Sequence, residues 1–255
     1  MIAAELSLPD CPQRATPFTV TRRVRIGDCG VDRKLRLDGV ACYLQDVGFD
    51  HLDVMPDGHA HQAWIVRRMV IDVVRPISFG EYVTVRRWAS STSTRWCNMR
   101  VQIDGADGGL VETESFLIHF AADKGIPARM SEAFLEPILA ATDEHRLRWR
   151  PTLTEPVSPA DAAVESTEFE VRVADLDFLE HVNNAAYLQI VENVLDRYTR
   201  LITSAHRTTV EYVKPIVAGD VVTVCWRYRD EVLDIGVAVA GENRAAMRVE
   251  PAPTA

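Results

Sequence analysis

Ile71 to Val85 reads IDVVRPISFGEYVTV, and Val210 to Val224 reads VEYVKPIVAGDVVTV. At a constant offset of 139 the two stretches superpose without a gap: Arg75 on Lys214, Pro76 on Pro215, Ile77 on Ile216, Gly80 on Gly219, Glu81 on Asp220 and Thr84 on Thr223. Each is a β-branched run, a proline, a glycine four residues on, and a second β-branched run. Proline cannot donate to a strand ladder and glycine turns easily, so each copy is expected to be strand, turn, strand. A repeat of this kind means that the chain is built from two related units.

Upstream, Val24 to Asp28 falls on Val171 to Asp175 at an offset of 147, and Tyr43-Leu44-Gln45 falls on Tyr187-Leu188-Gln189 at 144. The drift from 147 to 144 to 139 predicts small loop insertions in the first copy at each step. Between these anchors both copies read as helix. Tyr187, Val191, Val194, Leu195, Tyr198, Leu201 and Ile202 recur at helical spacing, and Leu188 and Ile190 widen the apolar surface beyond one face. In the first copy Val40, Leu44, Val47 and His51 form one stripe, with Leu37, Ala41 and Gly48 beside it. Strand-like runs follow at Met69–Val74, Tyr82–Trp88, Cys97–Ile103 and Phe116–Phe120. A buried helix followed by antiparallel strands is a sheet wrapped around a helix, so the predicted class is α+β, a tandem double hotdog. The expected division is 1–140 for the first hotdog, a proline-bearing linker over 141–165, and 166–255 for the second.

The chain has 255 residues, 47% of them hydrophobic and 25% charged, which suffices for two small cores. A net charge of -9 argues against non-specific nucleic-acid binding, and any acidic partner would need a local basic patch. Arg67, Arg68, Arg75, Arg86, Arg87 and Arg95 are the residues that could form one. No apolar run approaches the ~20 residues that span a bilayer, and Met1 to Thr16 lacks the pattern of a signal peptide. A cytoplasmic protein with no membrane partner is therefore expected. The five cysteines form no CxxC pair, which favours small buried hydrophobes over a zinc knuckle or disulfide framework. His51, Asp53, Asp57, His59 and His61 lie close in sequence and are read as a solvated loop rather than a metal site. No GxSxG, P-loop or dinucleotide glycine motif is found, and no cofactor is expected.

The chemistry is expected at Asp175 to Asn184, ADLDFLEHVNN counted from Ala174, which leads into the second helix. Asn183 or Asn184 is a natural N-cap, and the free N–H groups of the first helical turn could polarise a carbonyl. A carboxylate beside them, Asp177, could activate water or attack the carbon. The repeat supplies an internal comparison. By the offsets above, Asp177 faces Gly30, His181 faces Leu37, and Asn183 and Asn184 face Gly39 and Val40. Only the second copy carries the motif, so it is assigned the reaction and the first copy the binding surface. Asp177 as a turn former, Asn184 as a cap, Glu180 as a solvated side chain and Glu192 as a salt-bridge partner are the bland alternatives.

At these residues the sequence resembles the acyl-ACP thioesterases of plants and bacteria, which are double-hotdog enzymes. The resemblance runs from about Phe18 to Val249 and includes Trp64-Ile65-Val66-Arg67-Arg68-Met69, Gly80-Glu81-Tyr82-Val83, and DFLEHVNNAAY from Asp177 to Tyr187. It implies hydrolysis of fatty acyl-ACP thioesters, with Asp177 and His181 matching two members of the family's catalytic motif. Leu179 stands where the family has an Asn, and Pro215 and Ile216 stand where it has an acidic residue and a Cys. The motif is also similar to that of single-hotdog acyl-CoA thioesterases, in which an Asp at the Asp177 position acts as base or nucleophile and a helix Glu, matching Glu192, contributes. The site implied is Asp177, His181, Asn183, Asn184 and Glu192, and the substrate carrier is acyl carrier protein or CoA. A homodimer is left open. An acyl-CoA thioesterase, a hotdog hydratase or dehydratase and a non-catalytic acyl-binding protein are the rival readings.

Overall fold

The structure is a computed structural model that describes residues 7–121, 125–161, 164–198, 201 and 203–253. Ile202 and Met1–Leu6, which entered the readings of the second helix and the N-terminus, lie outside these. The first half runs β1 (Phe18–Arg23), α1 (Leu37–Val54), β2 (Trp64–Arg75), β3 (Tyr82–Thr92), β4 (Trp96–Gly105), β5 (Leu110–Ala121), the two-residue β6 (Ile126–Pro127) and α2 (Glu132–Ala141). The second runs β7 (Glu165–Glu170), α3 (Asn184–Leu195), β8 (His206–Tyr212), β9 (Val221–Arg229), β10 (Val232–Val239) and β11 (Glu242–Pro251). Among the described residues no helix is long and apolar enough to cross a membrane.

The strands form one antiparallel sheet in the order β1-β3-β4-β5-β2-β8-β11-β10-β9-β7, with β6 beside β5. Read from either edge, the order is the same sequence of equivalent strands. The halves meet where β2 pairs with β8, and here the duplication becomes a local two-fold. Val70 lies opposite Thr209, Arg68 opposite Glu211 and Asp72 opposite Arg207. Arg68 and Arg207 are 139 apart, as are Val70 and Thr209, and Asp72 and Glu211. Both cross-strand pairs carry charge: Arg207 Nε and Nη2 each lie 2.6 Å from an Asp72 carboxylate oxygen, and Arg68 Nη1 lies 3.4 Å from Glu211 Oε1. Such contacts satisfy groups whose burial would otherwise be expensive.

Against this sheet α1 packs on α3, and one continuous core spans both halves. Leu188 and Val191 of α3 are fully buried beside Val40 and Val47 of α1 and Ile71 and Val210 of the central strands. The width of the apolar surface read from the sequence follows, since α3 buries Ala185, Ala186, Tyr187, Leu188, Ile190, Val191, Val194 and Leu195. A smaller core cluster, with Leu52, Met99, Phe134 and Ile138, lies between α2 and the first half's strands.

The repeat register needs a correction at the helices. Arg33 and Glu180 share a positive φ, Gly30 N–H bonds Lys34 as Asp177 N–H bonds His181, and Leu35 N–H bonds Ile77 as Val182 N–H bonds Ile216. The offset of 147 therefore holds through the start of both helices. His181 lies opposite Lys34, not Leu37, and Asn183 and Asn184 lie opposite Arg36 and Leu37, not Gly39 and Val40. Asp177 does face Gly30. The Tyr-Leu-Gln match at 144 is a coincidence of composition. The full shift to 139 arises between the helix starts and β2 or β8, where α1 has 18 residues and α3 has 12. The described residues between α2 and β7 hold no helix or strand, and they pack on the rest of the chain: Val157 is buried and Trp149 packs edge-on against Phe116.

Arg207→Met leaves Asp72 buried without its partner and is expected to destabilise the fold by about 3–5 kcal/mol in urea unfolding. Asp72→Leu combined with Arg207→Met should recover most of that loss; a single variant as stable as the parent contradicts the role given to this pair.

Candidate active site

Each half enters its helix by the same device. A short 3-10 turn, Ile26–Asp28 or Val173–Asp175, is closed by a carboxylate that accepts a backbone N–H, from Arg25 to Asp28 Oδ2 at 2.7 Å and from Arg172 to Asp175 Oδ2 at 2.8 Å. The Arg172 guanidinium also grips Asp175, and although burial opposes ionisation, these bonds hold its carboxyl below the usual range. A tight hairpin follows and delivers the helix start. In the second half that hairpin runs Leu176–Val182, and its arms are tied by Asp177 N–H to His181 O at 2.9 Å.

The start of α3 opens on a cavity of about 640 Å³. Its walls come from α1, β2, β3, β4, β5 and α2 of the first half, and the second half supplies the hairpin and the first turns of α3. Asp177, Asn183 and Asn184 all lie on this wall, and Asp177 is the one carboxylate among the described lining residues. Its Oδ1 accepts Leu179 N–H at 2.9 Å, which leaves the other oxygen for a guest. Leu179, in the place of the family's Asn, is on the wall beside Phe178, and both are exposed.

Asn183 is the N-cap: its Oδ1 accepts Ala185 N–H at 2.9 Å. The same oxygen accepts from Gln45 Nε2 at 2.9 Å, and Asn183 Nδ2 donates back to Gln45 Oε1 at 3.3 Å. This amide pair fixes the start of α3 against the middle of α1 and leaves Asn183 little spare capacity. The Asn184 N–H, at the first helical position, has no acceptor among the described residues, as expected of a helix N-terminus that awaits one. Gln45 was not anticipated from the sequence; only the packing of α1 on α3 brings it here.

Two expected residues do not join this wall. His181 is half-buried, is not on the cavity lining and has no side-chain hydrogen bond among the described residues. Glu192 belongs to the two-fold related end. Its Oε1 accepts Leu37 N–H, at the start of α1, at 2.6 Å, and its Oε2 lies 3.6 Å from Arg36 Nε. Glu192 is 147 residues from Gln45, so it caps α1 as Gln45 braces α3. There Arg36 replaces Asn183, and its guanidinium bonds Asp38 and the Cys29 and Gly27 carbonyls. Gln189 donates to Asp38 at 3.1 Å. The related end is thus filled by charge pairs, with Gly30 where Asp177 stands. Burial, aided by Asp38, raises Glu192 to about 7 against the opposing Leu37 N–H and Arg36.

The histidine loop departs from expectation in part: Asp53, Asp57 and His59 are exposed, but His51 and His61 are not solvated loop residues. His51 lies in the last turn of α1 and on the cavity wall. His61 is buried, with Nδ1 3.0 Å from His119 Nε2 and Nε2 3.1 Å from Ser131 Oγ. Among the described residues no three His, Cys, Asp or Glu side chains are grouped to hold a metal. The arginines are dispersed: Arg68 meets Glu211, Arg75 the Gly108 carbonyl and Arg86 Asp104, while Arg87 enters the cavity.

Residues 16–138 match the family model of the acyl-ACP thioesterase N-terminal domain, and 158–247 match that of the C-terminal domain. The chain belongs to the acyl-ACP thioesterase family and is a thioester hydrolase. It is 38% identical over 244 residues, 95% of each chain, to a Mycobacterium tuberculosis (strain H37Rv) protein described as uncharacterized. It is 24% identical over 249 residues, 87% of this chain and 66% of the relative, to chloroplastic oleoyl-acyl carrier protein thioesterase 1 of Arabidopsis thaliana. The fold matches an oleoyl thioesterase (putative) from Lactobacillus plantarum with TM-score 0.76 at 18% identity, over 95% of this chain and 99% of that one. It matches the 12:0-ACP thioesterase from Umbellularia californica with TM-score 0.69 at 19% identity, over 92% and 96%.

Because Glu192 is raised to about 7 from an ordinary 4.5, the folded chain keeps a proton that the unfolded chain releases between those values. Stability attributable to this group therefore falls as pH rises from 4.5 towards 7. Glu192→Gln keeps an acceptor for Leu37 and cannot ionise, so it should gain about 1–3 kcal/mol on the parent between pH 5 and pH 8 in chemical unfolding. A difference that does not change with pH contradicts the assignment.

Proposed function

We propose that this thioesterase releases fatty acids from acyl carrier protein, using Asp177 as general base in a tandem double hotdog whose halves span 1–140 and 166–255 about a connector at 141–165. The observation that carries the reading is the meeting of Asp177, the one carboxylate among the described lining residues, with the Asn184 N–H, unengaged among the described residues, at the mouth of a cavity that the first half lines mostly with apolar side chains.

In this mechanism the acyl chain lies along α1 and the thioester carbonyl rests at the start of α3. The Asn184 N–H, assisted by the partial positive charge of the helix end, donates to the oxyanion as it develops. Asp177 takes a proton from water, the water oxygen attacks the carbonyl carbon, and the carbon–sulfur bond breaks as the tetrahedral intermediate collapses. The proton taken by Asp177 is then available to the departing thiolate. His181 is given a positioning role, since its carbonyl oxygen holds the Asp177 N–H and so fixes the carboxylate's approach. Asn183 holds the helix start in place through Gln45. Glu192 is assigned no step, because it is occupied at the other helix.

Asp177→Asn should lower thiol release from acyl-ACP by at least about a hundredfold with an unchanged melting temperature. Turnover equal to the parent would refute the assignment. Matched acyl-ACP and acyl-CoA substrates test the carrier, and a higher kcat/KM on acyl-CoA would overturn the choice of acyl carrier protein.

Gly48 offers a test of the route of the chain. It lies on the cavity wall one turn beyond Gln45, and a Cβ there would meet no atom within 4 Å. Gly48→Leu should fill the cavity without harming the helix, cutting kcat/KM on long acyl chains far more than on short ones. An equal effect at every length would mean that the chain does not pass α1 here.

A further inference from the structure

Asp177, Asn183 and Asn184 account for the polar mouth of the cavity. A second polar group lies deeper. Arg87, from β3, lines the cavity, and its Nη1 lies 2.6 Å from Nδ1 of His51. Among the described residues this is its one side-chain hydrogen bond, and no carboxylate pairs with it. Other arginines of the same sheet are matched: Arg86 by Asp104, Arg100 by Glu112 and Arg68 by Glu211. A guanidinium that faces an interior space without an anion is costly unless something fills that space.

Phe18 lies opposite Arg87 in the β1–β3 register and stacks on the His51 ring, with centroids 4.7 Å apart and planes within 3°. Burial, with the nearby Arg87 charge, pushes His51 down to about 3, so its ring is neutral at physiological pH. Burial also lowers Arg87 to about 10, which leaves it charged. Since Arg87 can only donate, His51 Nδ1 is the acceptor and Nε2 carries the proton. Arg87 and His51 thus present several N–H donors to the cavity and no acceptor.

The depth of this pair follows from the helix. His51 is six residues beyond Gln45, about 9 Å further along α1 at the α-helical rise. Beyond it the wall is mostly apolar again, with Leu52, Met55, Phe134 and Ile138, and the one amide there, Gln62, donates to the Gly58 carbonyl. A hydrocarbon chain that starts at Asn184 would therefore pass the donors midway along and continue.

We propose that Arg87 and His51 bind an oxygen atom carried within the acyl chain, so that hydroxyacyl or oxoacyl thioesters are preferred to plain hydrocarbon chains of the same length. This rests on the thioesterase reading for the chemistry at the mouth, although the recognition itself can be measured without turnover. The apolar wall beyond the pair favours an in-chain oxygen over a terminal carboxylate.

Calorimetric titration of the wild-type protein with free fatty acids tests the proposal: a plain acid against hydroxy and oxo acids of equal length, substituted at successive mid-chain positions. The best oxygenated acid should bind about ten- to a hundredfold more tightly than the plain one, as a hydrogen bond to a charged group provides. Arg87→Met should abolish that preference and Arg87→Lys should retain some of it. Equal or weaker binding of every oxygenated acid to the wild type would overturn the proposal. So would a preference that survives in Arg87→Met, or a dicarboxylic acid that outbinds all in-chain oxygenated acids. A chain that keeps the preference but hydrolyses no thioester would instead sink the reaction proposed at the mouth.

Discussion

The pairing of β2 with β8 is the contact on which the molecule depends. It makes one sheet of two, and it does so about an axis at Val70 and Thr209, with Asp72–Arg207 and Arg68–Glu211 as related pairs on either side. A one-residue slip would turn every side chain of one half to the wrong face. The charged pairs oppose such a slip, because it would separate both buried carboxylates from their arginines. With the register fixed, α1 and α3 must lie together, and the start of each helix meets a later turn of the other: Asn183 meets Gln45, and Leu37 meets Glu192.

From that point the two ends differ by chemistry rather than by architecture. At the start of α3 the residues are neutral amides with one carboxylate beside them, and a cavity opens. At the start of α1 an arginine takes the place of the capping Asn, a glycine the place of Asp177, and Asp38, Gln189 and Glu192 close around them. The same scaffold holds an open end and a plugged end. The helix α2, found in the first half alone among the described residues, adds Phe134 and Ile138 to the wall of the open one.

Much of this was legible in the amino-acid sequence, and the misses have physical causes. The turn at Gly80 and Gly219 was readable because both require a positive φ, and the Pro–Gly spacing survives in each copy. The burial of α3 followed from the width of its apolar surface. The helix register was misread because Tyr-Leu-Gln recurs by chance, whereas the true equivalence rests on backbone bonds that leave little trace in side chains. Glu192 was drawn to the wrong end because a helix position does not reveal which partner helix it faces. Gln45, His51 and Arg87 become meaningful only once the helix, its neighbouring helix and the third strand are brought together, and nothing local in their sequence neighbourhoods announces it.

The account holds that one end of this duplicated scaffold receives the acyl group and the other cannot. A crystal structure with a ketone analogue, in which a methylene replaces the thioester sulfur, tests it most directly. One molecule should be bound per chain, with its carbonyl oxygen on the Asn184 N–H, its carbonyl carbon facing Asp177 and its chain along α1. An analogue seated at Arg36 and Glu192, or lying outside the cavity, would contradict the account.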